Sequence, residues 1–274
     1  MDNPGLFIRK PVAFLWKDFL NASSYKFAFV TQFAGILFSA LSMFFLSRLV
    51  GETAQPYLGQ YGGDFFSFVI IGVALAGYMQ VALGAFAANI REAQITGTLE
   101  AMVATRTSAP MIILSSSLYS FLVTTIQILV YLLIGALAFG LQLKQANYFG
   151  AFLILFLTII SFSSVGVISA SFILIYKRGD PFNWVFTSLS WLLGGVYYPI
   201  TVLPEWLQTV SFVFPITHAL EGIRLALLQG YATGELLSSI LPLVVFGLIM
   251  VPAGILLFRY AVRVAKMNGS LTQY

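Results

Sequence analysis

The sequence predicts an all-α integral membrane protein with six transmembrane helices, an amino-terminal amphipathic interface helix and a re-entrant helical hairpin before the last span. Three observations carry that expectation. The chain is 59% hydrophobic and only 9% charged, whereas a soluble domain carries about 25% charged residues. Its mean hydropathy of +0.92 leaves too little polar surface to face water. Its apolar residues gather in runs of about the 20 residues that a helix needs to cross a bilayer. Unpaired backbone groups are too costly in lipid, so the runs read as helices, and the short alternating segments of a membrane barrel are absent.

The elements follow in order. Over residues 5–24, Phe7, Ile8, Val12, Leu15, Trp16, Phe19 and Leu20 recur at helical spacing, with Arg9, Lys10, Lys17 and Asp18 mostly between them. That pattern suits a helix lying in the membrane interface, apolar side down. The spans are expected at about 27–46, 65–88, 110–139, 148–175, 181–198 and 236–258. The third and fourth are long, so they tilt or extend past the headgroups. Between the fifth and sixth, Pro199, Pro204 and Pro215 break an apolar stretch into pieces too short to cross. Such pieces persist at membrane depth only when packed on protein or lining a cavity, which points to a re-entrant hairpin over about 199–230. No internal repeat interrupts the chain, and 1–274 reads as one permease-like transmembrane domain.

Orientation follows from basic residues. With the amino terminus inside, the inner segments hold Arg9, Lys10, Lys17, Lys26, Arg91, Arg106, Lys177, Arg178, Arg259, Arg263 and Lys266. The outer segments hold only Arg48, Lys144 and Arg224, which completes the 14 basic residues. Eleven against three places both termini in the cytoplasm and the protein in the inner (plasma) membrane as a multi-pass chain. The same scatter argues against nucleic acid as a partner, because no basic patch forms.

Several chemistries are excluded. There is no cysteine and a single histidine, His218, so no thiolate or histidine metal cluster and no cysteine nucleophile are expected. The dipeptide Gly-Lys of a phosphate-binding loop never occurs, so the chain is no P-loop ATPase. Charges avoid the spans, which argues against ion-coupled transport. No catalytic or metal-binding residue is assigned.

Two segments are richer. In 91–110, Thr96 or Thr98 can cap a short helix with Glu100 near its first turn, and Pro110 opens the next span. This is either a capped turn or a docking helix for a cytoplasmic partner. In 194–224, Tyr and Trp residues surround the prolines, as interface anchors or as rings that stack on sugars. Glu221 and Arg224 share one helix face, where they pair with each other, pair across a dimer interface, or face water. Gly72, Ala76, Gly135, Gly166, Ala170, Gly194 and Gly195 permit close helix approach.

Together these segments resemble the permease family of type-2 ABC exporters. The first motif is carried by Arg91, Glu92, Gly97, Thr98, Leu99 and Glu100. The second is carried by Pro199, Leu203, Pro204, Trp206, Leu207, Pro215, Glu221 and Arg224. The resemblance spans essentially the whole chain. It implies a homodimer of permeases bound to two cytoplasmic ABC ATPase subunits, with ATP and magnesium on those separate chains and no cofactor on this one. Arg91, Glu92, Gly97, Thr98, Leu99 and Glu100 would form the ATPase-coupling helix. Trp191, Tyr197, Tyr198, Pro199, Pro204, Trp206, Pro215, Glu221 and Arg224 would form the hairpin and substrate pathway. The expected function is ATP-driven export of a lipid-linked glycan, lipid, drug or related amphiphile, with membrane lipids as neighbours. The alternatives are a membrane-embedded transferase using Glu92, Glu100 or Asp180, and a channel or scaffold subunit.

Overall fold

The computed structural model describes residues 4–23, 26–98, 101–102, 109–141, 143, 145–176 and 180–267. Among them every regular element is helical: α1 (Pro4–Ser23), α2 (Lys26–Ala54), α3 (Phe65–Ile95), α4 (Ala109–Ala138), α5 (Tyr148–Tyr176), α6 (Pro181–Leu193), α7 (Glu205–Ser211), α8 (Pro215–Arg224) and α9 (Leu237–Met267). Among the described residues five helices are long and apolar enough to cross a membrane, and the pair Glu205–Ser211 and Pro215–Gln229, bent by 90°, meets the same measure only when the two are taken together.

The central helix is α3. Of its most apolar window 78% is buried, against 6% for α2 at the periphery. Its start is set by Asp64, whose carboxylate accepts from Ser67 N at 2.9 Å, satisfying an amide that the first turn leaves without a partner. α3 packs on α4, α5 and α8, and α9 packs along α5. Two glycines set how close these helices come. A Cβ at Gly166 of α5 would lie 2.3 Å from the Ala82 carbonyl of α3, and one at Gly254 of α9 would lie 3.0 Å from the Ser164 carbonyl of α5. Lipid offers no hydrophobic drive between helices, so such close backbone packing holds the bundle. One apolar cluster fills the half near Asp64, around Ile70, Met79, Ile154 and Leu220. A second fills the half near Ile95, around Phe86, Ile90, Leu174 and Phe258.

The helix ends depart from the expected spans at four places. The span expected at 65–88 runs on to Ile95. The second helix runs on to Ala54, and the last continues to Met267 through Pro242 and Pro252, because Ala261, Val262 and Ala265 bury against α3 and α5. The fifth expected span, 181–198, forms a helix only over Pro181–Leu193. Thirteen residues reach about 20 Å at 1.5 Å each, short of the roughly 30 Å of a hydrocarbon core. Gly194 and Gly195 end it, the latter at φ 76°.

Gly166→Val should lower stability by about 1–3 kcal/mol, because the α3–α5 crossing has no room to relax. Gly35→Val on α2, where nothing lies within 4 Å of the added carbon, should change it by less than about 0.5 kcal/mol. Thermal unfolding of the purified protein in detergent checks both.

Candidate functional site

The proline-broken segment is held by its own side chains. Where α7 turns into α8, the Thr217 hydroxyl donates to the Ser211 carbonyl at 2.8 Å, and His218 Nε2 lies 2.8 Å from the Phe212 carbonyl. These carbonyls lose helical partners at the corner, and the side chains replace them. The corner reaches deep into the bundle: Phe214 meets Phe186 midway along α6, which meets Phe162 midway along α5. The far end rises to the loops, where Asn147 N donates to the Ala226 carbonyl at 2.8 Å.

Arg224 ends α8 fully buried. Its Nε donates to the Phe68 carbonyl at 3.1 Å. Its Nη1 and Nη2 donate to the Gly195 and Val196 carbonyls, both at 2.9 Å. The cation lies 3.4 Å from the Phe68 ring centroid and 5.9 Å from that of Tyr61. Burial holds the Tyr61 phenol above its usual range, with the charge of Arg224 pulling partly against it. Gly72 makes the approach possible, since a Cβ there would lie 2.5 Å from Nη2 and 2.3 Å from the Val196 carbonyl. Glu221 is half-buried and forms no ion pair with Arg224. Among the described residues the one ion pair is Lys17–Asp18 at 3.2 Å. The pairing open to Glu221 and Arg224 at i, i+3 is therefore replaced by backbone carbonyls, which the ends of broken helices supply.

The remaining hairpin residues divide between surface and core. Trp191 stacks on Tyr197 with ring centroids 5.5 Å apart. The Tyr198 hydroxyl donates to the Leu192 carbonyl. Pro199 and Pro215 are buried, while Pro204 and Trp206 are exposed.

The residues expected to meet an ATPase subunit sit at the opposite end of α3, about 30 Å from Gly72 at 1.5 Å per residue. Arg91 and Glu92 are exposed on its last turns. Gly97 adopts φ 68°. Thr96 closes α3: its Oγ1 donates to the Glu92 carbonyl at 2.9 Å and shares a 2.9 Å hydrogen bond with the Thr98 hydroxyl. Leu99 and Glu100 lie outside the described residues.

A third feature was missed from the sequence. A groove of about 650 Å³ opens on the outside of the fold between α3 and α6, lined by Gln80, Asp180, Asn183, Trp184, Thr187 and Ser188 among others. Asp180 holds α6 in place there, accepting from Asn183 N at 3.0 Å and from the Ser169 hydroxyl. The signal was present in α3. Gln80, Gly84, Ala88 and Glu92 recur every four residues, a polar and small stripe along one face of an apolar helix.

A family model described as ABC-2 type transporter matches residues 12–228, well over half of the chain. No curated protein matches it.

Arg224→Lys gathers its three donors on one nitrogen, which cannot reach three carbonyls spread around a planar fork, and Arg224→Gln strands the carbonyls, so each should cost at least about 3 kcal/mol. Gly72→Ala should destabilise in the same direction with the charge intact. Adding Glu221→Gln to Arg224→Gln should give additive losses with no rescue, read from unfolding midpoints of the two single variants and the double.

Proposed function

Because the chain belongs to the ABC-2 type transporter family, we propose that it is the membrane subunit of an ATP-driven exporter, working as a pair of copies with separate ATP-binding subunits. The observation that carries this reading is the α3–α6 groove. Amides, hydroxyls and a carboxylate at membrane depth are poorly served by lipid. A second copy set against the same two helices would enclose both grooves in a shared polar path, and a self-complementary face is what a two-fold pair requires.

The other parts fit around that path. With α1 and the Ile95 end in the cytoplasm, as the basic residues favour, the α7–α8 corner enters from the outer side and returns, a re-entrant hairpin above the groove. Residues 91–105 then form the helix that meets the ATP-binding subunit, with α1 beside it. α1 turns Val12, Trp16, Phe19 and Leu20 outward, one stripe at helical spacing that suits the interface. ATP-driven movement of these two parts would shift α3, whose far end carries the Arg224 contacts. The cargo would be an amphiphile drawn from the cytoplasm or the inner leaflet, with a lipid-linked glycan, a lipid and a drug all within the range the resemblance implies.

The chain has no cysteine, so single cysteines can test the pairing. Ala88→Cys and Ser188→Cys should each cross-link two copies in the membrane with a short bifunctional reagent. Phe152→Cys on the outward face of α5 should not. Cross-linking at Phe152→Cys with none in the groove would place the second copy elsewhere and refute the shared path.

A further inference from the structure

Three cavities along one side of α3 share walls. The first, about 520 Å³, lies between α1 and the last turns of α3. The second, about 260 Å³, has Asp18, Asn89, Glu92 and Ser116 in common with it. The second also reaches Ser120, which lines the α3–α6 groove. Their shared walls set them end to end, from beneath α1 to the groove. The stripe Gln80, Gly84, Ala88 and Glu92 is the floor of this series, and Gly84 and Ala88 keep it open where a larger side chain would fill it.

Carboxylates outnumber cations among the described residues that line this passage. Asp18, Glu92 and Asp180 contribute three carboxylates. Among the described lining residues Lys17 is the one cation, and its ammonium is held 3.2 Å from Asp18. The rest of the polar lining is neutral amide and hydroxyl. Asp18 is matched by Lys17, whereas Glu92 and Asp180 form no ion pair among the described residues. Near a membrane boundary the effective dielectric is well below that of water, so such carboxylates attract a cation and repel an anion strongly. The outward apolar stripe of α1 would keep the mouth of the passage at headgroup level.

We infer that this passage is a side inlet through which an amphiphile with a positively charged head slides from the inner leaflet into the groove, its tail remaining in lipid. The inference rests on the reading of the groove as the export path. It adds the route and the charge of the cargo. Phosphate- or sulfate-headed amphiphiles would be turned away at Glu92 and Asp180.

Labelling of single cysteines in the transporter reconstituted with its ATP-binding subunit tests it. Two methanethiosulfonate reagents are compared at Ser120→Cys, one carrying trimethylammonium and one carrying sulfonate, each normalised to its rate with a free thiol. The cationic reagent should react roughly tenfold faster, the effect of about 1.4 kcal/mol. Asp18→Asn with Glu92→Gln should bring the ratio close to one. Dodecyltrimethylammonium below its micellar concentration should slow the labelling, and dodecyl sulfonate should not. A ratio near one in the otherwise unaltered chain overturns the charge selection while leaving the shared path standing, and that measurement does not depend on the double variant folding. A ratio that survives neutralisation in a folded double variant also overturns it. No labelling by either reagent removes the passage and the groove's role as a path together.

Discussion

The structure depends on how a buried guanidinium meets three backbone carbonyls. A bilayer core offers no water to a carbonyl released when a helix breaks. The break after Leu193 releases the Gly195 and Val196 carbonyls inside the protein, and Arg224 accepts the task of satisfying both while also binding the Phe68 carbonyl. One side chain thereby ties the end of α6 and the end of α8 to the first turns of α3. The fork of the guanidinium suits three diverging acceptors, where an ammonium would reach fewer. Gly72 is the other half of the arrangement, because a methyl group there would occupy the space of both the nitrogen and the carbonyl.

From that anchor the rest follows in sequence along α3. One face is committed to close packing at the Gly166 crossing with α5. Another is left polar and open over Gln80, Ala88 and Glu92. Because α6 stops short, the chain after it folds back into the bundle instead of crossing, and its corner sits against Phe186 midway along the same helix. The polar groove, the returning corner and the loop after Ile95 are all mounted on a single buried helix. A displacement at its Ile95 end is carried to the Arg224 contacts as a rigid-body movement, since packed interiors deform little.

Much of this was legible in the sequence. The span expected at 148–175 is the helix Tyr148–Tyr176, and that expected at 110–139 is Ala109–Ala138, since hydropathy decides where a long apolar helix lies. The breaks at Pro204 and Pro215 were equally readable, because proline disfavours helical backbone at the residue before it. The end of the fifth span was not. Val196, Tyr197 and Tyr198 are apolar enough to extend it, and hydropathy outweighed the Gly194–Gly195 pair, whose left-handed residue ends the helix. The partners of Arg224 were not readable for a related reason. A charge three residues from an opposite charge suggests a pair, whereas its true partners are carbonyls 28, 29 and 156 residues away in the chain, which no local pattern reports. The groove stripe was visible as polar and small residues every four positions, but only the packing of the other faces of α3 shows which face stays open.

In the proposed pair the outward side of α3 and α6 faces a polar path and not lipid. Trp184, 71% exposed in the single chain, reports on it directly. With Trp16, Trp191 and Trp206 replaced by Phe, it is the last of the chain's four tryptophans, and its fluorescence can be quenched from either side. In the transporter assembled with an ATP-binding subunit free of tryptophan, the account predicts quenching by iodide in water and little quenching by brominated acyl chains. Strong quenching by brominated lipid with none by iodide would put that face in the bilayer and contradict it.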